Sequence, residues 1–383
     1  MYSVRRLKLG YSEQLNDLAI ASGTVYRRVV ILFYRILRKK GHWLSANAMM
    51  KLIQSEFLHS QSTQAAVQAF YAALDSWRKR RKSDPQARMP RRRHKYYRIL
   101  WKKSAIRIKD GNLILSNGKG NSPFVIPWHW DIPCLVEIGW DGKQYELRAT
   151  YNLGKCTAEP SQNCAGIDLG EIHIAVSHDG ETCHILNGRM LRSKRQYQNK
   201  IKAKLQNIQD TKKKGSRRYK RVKKSKSRQL RKLNNQIRDI LHKQTTALVS
   251  TLKNEGVQTL VIGDLRDIRQ GLDCGKAANQ RLHQMVTGKT RHMLSYKAEL
   301  SGMAVQLQDE AYTSQTCPCC GYRHKPSGRV YKCAKCGFVY HRDGVGSFNI
   351  RSKYLEKTPV VGVMASPTGI RYKPHMLCVA RIV

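Results

Sequence analysis

The chain has 383 residues, with 71 Lys plus Arg against 26 Asp plus Glu, a formal net charge of +45. A chain this basic repels itself unless a polyanion such as a phosphate backbone neutralises it, and no run of about 18 apolar residues exists to span a bilayer. The opening Met1-Tyr2-Ser3-Val4-Arg5-Arg6 lacks the apolar stretch of a secretory signal, and eleven cysteines, five of them between Cys317 and Cys336, read as one metal site in a reducing compartment and not as a secreted disulfide framework.

Residues 1–14 alternate loosely and suggest a strand. From Glu13 to about Lys82 the apolar spacing is helical, through Leu15, Leu18, Val25, Val29, Phe33 and Leu37, and a basic run closes the region. Residues 104–155 change character. Ile106, Ile108, Leu113 and Leu115 alternate around Asp110-Gly111, and Val136, Ile138, Tyr145 and Leu147 around Asp141-Gly142, which predicts two β-hairpins.

A third unit starts near Asn163. Cys164 to Asp168 reads as a buried strand, with second and third strands at 172–177 and 182–186. The stretch from Arg189 to Lys243 is strongly cationic. Ile201, Leu205, Ile208, Leu230, Leu233 and Ile237 recur there at helical spacing, which predicts helices with one thin apolar stripe and cationic faces for nucleic acid. Leu260 to Asp264 is a fourth strand, 290–301 a helix, 303–308 a fifth strand and 344–354 a last helix. The tail after Glu356 has three prolines and no clear periodicity, so little of it is expected in the core.

Cys317-Pro318-Cys319-Cys320 and Cys333-Ala334-Lys335-Cys336 hold two Cys-x-x-Cys knuckles, followed by Gly321 and Gly337. A two-residue gap lets both thiolates of a knuckle reach one ion, so Cys317, Cys320, Cys333 and Cys336 are the expected ligands of a structural zinc and Cys319 a bystander.

Metal-dependent nucleases of the RNase H type cluster carboxylates at strand ends, because magnesium takes oxygen ligands and two ions serve the attacking and leaving oxygens. Asp168 ends the first strand of the third unit. Its Ile-Asp-Leu-Gly setting also suits an actin-like ATPase. Asp343 opens the last helix directly after the cysteine pairs, where a plain helix cap is the bland reading. The fourth strand brings Gly263-Asp264 and the fifth ends Gln308-Asp309-Glu310.

These motifs together resemble the TnpB family, transposon-encoded RNA-guided DNA endonucleases related to type V CRISPR effectors and Fanzor proteins. The resemblance rests on Gly166-Ile167-Asp168-Leu169-Gly170, Tyr312-Thr313-Ser314-Gln315-Thr316-Cys317, Tyr331 with Cys333 and Cys336, and Arg342-Asp343 leading to Asn349-Ile350, and it spans about residues 160–352. It implies an α/β fold with helical and β-rich units: an RNase H-like (RuvC) nuclease core carrying an inserted zinc ribbon, preceded by a helical recognition lobe and a β-rich wedge domain. The matching boundaries are 1–14 and 104–158 for the wedge, 15–103 for the lobe, 159–312 for the core with its basic insertion at 189–243, 313–340 for the ribbon, 341–355 for the last helix and 356–383 for a poorly ordered tail.

The resemblance further implies structural zinc and catalytic magnesium, a guide RNA from the transposon end, a double-stranded DNA target beside a short flanking motif, a monomer with one RNA, and a cytoplasmic, nucleoid-associated place in a prokaryote. The first family carboxylate falls on Asp168 and the third on Asp343, although Val345, Gly346 and Ser347 replace the usual Asn-Ala-Ala. The second is usually a Glu in Glu-Asp-Leu, and here Gly263 stands in its place. Some relatives relocate this Glu. Glu310 is the candidate, with Glu299 second, and Asp264 is unsuited because it points to the opposite face of its strand. The site expected to hold magnesium and to catalyse is thus Asp168, Glu310 and Asp343. The alternatives are a nuclease-dead RNA-guided DNA-binding protein, a DDE-type transposase sharing the core, or a plain RNA-binding protein.

Overall fold

In the computed structural model, residues 2–154, 158–265, 273, 275–356 and 364–376 are described. The chain divides into two compact units, Met1–Lys155 and Cys156–Val383.

The first unit contains β1 (Tyr2–Leu9), α1 (Glu13–Lys40), α2 (Ala46–Leu52), α3 (Ser60–Arg81), β2 (Ile99–Lys102), β3 (Ile106–Lys109), β4 (Asn112–Leu115), β5 (Phe124–Pro127), β6 (Leu135–Trp140) and β7 (Tyr145–Asn152). Ser12 starts α1 by accepting the Leu15 N–H, and Gly41, at φ +59°, ends it by donating to the Leu37 carbonyl. The strands form an antiparallel sheet in the order β1-β7-β6-β2 and a three-stranded sheet β3-β4-β5. Both predicted hairpins are present, as β3–β4 and β6–β7. The helices' apolar face joins Phe33, Phe70 and Leu74 to Trp101, Ile138 and Leu147 in one core. β2 lies within the 15–103 bounds expected for the helical lobe, beyond the helical spacing that ends near Lys82, and it pairs with β6. Its Ile99 and Trp101 are buried, and four residues are too few for alternation to stand out from a basic surrounding.

The second unit continues with β8 (Cys164–Asp168), β9 (His173–His178), β10 (Cys183–Asn187), α4 (Arg189–Asp210), α5 (Arg217–Asn254), β11 (Thr259–Gly263), α6 (Lys276–Gln284), α7 (Thr287–Leu300), β12 (Ala304–Gln308), β13 (Val330–Lys332), β14 (Val339–His341), α8 (Arg342–Tyr354) and β15 (Thr368–Ile370). Its sheet runs β12-β11-β8-β9-β10-β15. β8, β11 and β12 are parallel, while β8-β9-β10 form an antiparallel meander. This is the RNase H-like arrangement, with strand four beside strand one and strand five beside strand four. The buried runs of β8 and β11 fit parallel strands covered on both faces. Ala165, Ile167, Leu260 and Ile262 pack with Leu248, Leu252, Leu294 and Ala298 on one side. Cys164 and Val261 meet Ile350 of α8 on the other.

Gly166 permits this second layer. A Cβ there would collide with the Ser347 carbonyl and lie 2.7 Å from the Arg351 nitrogen, so only glycine lets α8 lie this close to the sheet.

Helices α4 and α5 pack along each other and carry the basic stretch. Leu233 and Ile237 of the predicted stripe are buried, whereas Ile208 is exposed, and the stripe continues through Ile240, Leu241 and Leu248. The tail departs from expectation. β15 adds to the sheet beside β10, Ile370 and Tyr372 pack against the core, and the Tyr372 hydroxyl donates to Asp239 at 2.8 Å. A three-residue strand among prolines carries too short a period to be read. Residues 357–363 and 377–383 of that tail lie outside the described residues. Among the described residues, no helix is long and apolar enough to cross a membrane.

Candidate active site

Asp168 at the end of β8 lies in the field of Asp343 on α8, and Glu310 after β12 lies in the field of Asp168. Asp168 ends β8, half-buried. Burial and the nearby Asp343 charge raise its carboxyl to about 7. A Cβ on Gly346, one turn into α8, would lie 2.7 Å from Asp168 Oδ2. The glycine that replaces the expected alanine therefore makes room for the carboxylate.

Asp343 is the second residue of α8, and the N-cap is His341. The plain helix-cap reading of Asp343 does not hold. It sits in the first turn, where unpaired N–H groups favour negative charge. Burial works against its ionisation, but the hydrogen bond with His173 and the neighbouring His341 and Arg329 hold it below the usual carboxylate range. His173 Nδ1 and Asp343 Oδ2 are 2.7 Å apart, and Arg329 Nη1 stands 3.9 Å from the same oxygen.

Glu310 follows β12. Gly263 pairs with Gln308 across the β11–β12 ladder, so Glu310 lies just beyond the end of β11. Its carboxyl turns back over Gly263 and fills the space a side chain there would need: a built Cβ would collide with Oε1, Cδ and Cγ of Glu310. Burial, then Asp168, Asp264 and Asp309, push the Glu310 carboxyl up to about 8. Its Oε1 is buried with no hydrogen-bond partner. The adjacent carboxylates turn elsewhere. Asp309 pairs with Lys353 at 2.7 Å and Asp264 with Arg291 at 2.9 Å. Glu299 lies on α7 and is not among the charges acting most strongly on Asp168, Glu310 or Asp343. After Glu310 the chain turns sharply through Tyr312 at φ +65°, a conformation few side chains adopt, and enters the cysteine-rich segment.

That segment is pinned to the core. Asn349 of α8 donates from Nδ2 to the Thr313 and Thr316 carbonyls at 2.7 and 2.8 Å. The sulfurs of Cys317, Cys320, Cys333 and Cys336 lie within 4.8 Å of one another, with Cys317–Cys336 and Cys320–Cys333 both at 3.6 Å. Zinc–sulfur bonds of ~2.3 Å in a tetrahedron place sulfurs roughly 3.8 Å apart, so the four thiols fit one zinc ion. Cys319 is exposed and outside the group. The second knuckle sits in the turn of the β13–β14 hairpin, and β14 hands the chain directly to α8 and Asp343.

Of the expected carboxylates, Asp168 lies in the field of Asp343 and Glu310 in that of Asp168, while the four expected cysteines form one cluster. The sequence reading did not include His173 and His341. Their rings lie 5.1 Å apart beside Asp343, and the only sequence signal was His341 standing two residues before that aspartate.

A family model described as "Probable transposase", OrfB_IS605, matches residues 145–269, and one described as Cas12f1-like, TNB domain, matches residues 288–350. The chain is 33% identical over 133 residues to the "TnpB-like protein MJ0751" of Methanocaldococcus jannaschii, covering 34% of this chain and 46% of that protein. Over these spans the chain is similar to TnpB-like proteins. It is also 27% identical over 220 residues to the Escherichia coli protein named "Putative RNA-guided DNA endonuclease InsQ", covering 55% of this chain and 53% of the other. The chain spans about half the length of the curated relatives it matches. Its fold is similar to that of a Cas12f1 chain solved with sgRNA and target DNA, at TM-score 0.60 and 12% identity over 89% of this chain and 83% of that one. Gly263 is one departure from the pattern that the resemblance implies, beside Val345, Gly346 and Ser347, and the Glu310 carboxyl fills the space a side chain at 263 would need.

Proposed function

We propose that the chain is an RNA-guided, magnesium-dependent DNA endonuclease encoded by a transposon, cutting beside a short flanking motif with Asp168, Glu310 and Asp343. The observation that carries this reading is the Glu310 carboxyl lying over Gly263, where the usual family glutamate is missing. A chain that had lost its nuclease would have no need to keep a buried carboxylate there.

The donor set fits magnesium. Asp168 interacts electrostatically with Asp343 and Glu310 with Asp168, Asp168 and Glu310 are pushed toward neutrality by burial and by these neighbours, and one Glu310 oxygen is buried without a partner. Such an arrangement is unfavourable unless a cation compensates it. When bound, magnesium would supply positive charge for the attacking and leaving oxygens of the phosphodiester. The protein's part is rigidity and placement. Asp168 is fixed by the central strand, Asp343 by the first turn of α8, and Glu310 by the ladder that ends at Gly263–Gln308. The zinc-fitting ribbon is expected to be structural, since four protein thiolates leave no open position.

The basic faces of α4 and α5 are proposed to hold nucleic-acid backbone, and the first unit to serve as wedge and recognition lobe toward guide RNA and target DNA. This accounts for the net charge of +45. Expression with its own transposon end, followed by sequencing of the co-purified RNA and plasmid cleavage in magnesium, tests the reading. A discrete RNA and cuts at guide-matched sites support it. Guided binding without cleavage leaves the nuclease-dead alternative, and cleavage by protein free of nucleic acid overturns RNA guidance.

A further inference from the structure

The carboxylate cluster leaves two imidazoles unexplained. His173 lies on β9 and His341 ends β14, so two separate elements aim a nitrogen donor at the same aspartate. Donor atoms of His173, His341 and Asp343 all lie within 4.8 Å of one another. His173 Nδ1 is 2.7 Å from Asp343 Oδ2, and His341 Nδ1 is buried with no hydrogen-bond partner. Metal–donor bonds of ~2.0–2.2 Å allow donors on opposite sides of one ion to be roughly 4.2 Å apart, close to this span.

We propose that His173, His341 and Asp343 form a mixed nitrogen–oxygen site for a divalent first-row transition ion at the Asp343 end of the carboxylate cluster. Magnesium prefers oxygen ligands and gains little from imidazole. Two imidazoles with one carboxylate favour ions such as ferrous iron or cobalt and leave coordination positions open. Asp168 and Glu310 contribute oxygen only, so the cluster has a hard end and a softer end. Arg329, half-exposed and 3.9 Å from Asp343 Oδ2, is the cation that competes for that oxygen. The site shares Asp343 with the proposed nuclease centre, and it rests on that reading only for its consequence, a preference in metal use. Binding itself is read without cleavage.

The test uses the full chain with its co-purified RNA, its cysteine site filled with zinc and other divalent ions removed. Cobalt(II) is then titrated and followed by absorption. One cobalt per chain with a spectrum lacking thiolate charge transfer is expected. His173→Asn and His341→Asn should each weaken it at least about tenfold, the loss usual even for outer partners of a metal ligand. Retained zinc shows that each variant is folded. Pulsed electron paramagnetic resonance of manganese(II) bound to the wild-type chain gives a readout free of any substitution, and nitrogen couplings from imidazole are expected. Manganese without such couplings, or cobalt affinity unchanged in both variants, overturns the proposal and reduces His173 to a hydrogen-bonding partner that positions Asp343. Imidazole-bound metal in a chain that does not cut DNA supports this site and removes the nuclease reading alone.

Discussion

The carboxyl of Glu310 occupies the volume that any side chain on Gly263 would require. Gly263 ends β11 and Glu310 follows the neighbouring parallel strand β12, and the glycine is the condition for the glutamate's position. Gly263→Ala should therefore displace Glu310 without touching another carboxylate. Overpacking of this kind costs about 1–3 kcal/mol where it must be relieved by rearrangement. Cleavage by Gly263→Ala should fall by at least about tenfold, equivalent to ~1.4 kcal/mol, with guided DNA binding kept. A variant cutting at the wild-type rate would show that the contact is incidental.

The four clustered thiols predict one zinc per purified chain. Cys317→Ser, Cys320→Ser, Cys333→Ser and Cys336→Ser should each lower the metal content measured by elemental analysis. Cys319→Ser should leave it unchanged, because Cys319 is exposed and outside the cluster. Equal loss from Cys319→Ser would contradict the ligand assignment.

Asn349 joins α8 to the start of the ribbon through two carbonyls. Asn349→Leu leaves both acceptors unpaired in a buried place, a loss of about 1–3 kcal/mol. Thermal unfolding should shift down, with zinc content intact if only the clamp is lost. An unchanged midpoint would mean that water replaces the amide without penalty.

His178 is fully buried in β9, accepts the Gly180 N–H at Nδ1, and packs against Phe348. Burial lowers its pKa from 6.5 to about 4, against the raising effect of Asp179, with Arg351 and His184 lowering it further. The unfolded chain therefore takes up a proton that the folded chain refuses. The associated stability is fully present above about pH 6.5 and declines as pH falls toward 4, by up to about 3 kcal/mol. His178→Phe should flatten denaturant-unfolding stability over that window. The same slope in the variant would assign it to other groups.

Much of this site was legible because its chemistry is carried by short, regular segments. The apolar run ending at Asp168 is a buried parallel strand, and two Cys-x-x-Cys pairs can hardly do anything else together. Glu310 was legible by sheet order, since strand five must lie beside strand four for its end to reach Asp168. The positions that escaped depend on contacts between distant segments. β15 is three residues in a proline-rich tail, and its place beside β10 comes from Ile370 and Tyr372 covering the core. His173 and His341 are 168 positions apart in sequence and meet only because β14 delivers α8 to the edge of β9.

The central claim is that Glu310 supplies the carboxylate that Gly263 lacks. It is tested most directly by plasmid cleavage in magnesium with the RNA-bound protein carrying Glu310→Ala, alone and combined with Gly263→Glu. Glu310→Ala should bind guide-matched DNA and fail to cut it. Adding Gly263→Glu places a carboxylate in the vacated space from the neighbouring strand and should restore part of the cleavage. Cleavage by Glu310→Ala at the wild-type rate would contradict the account.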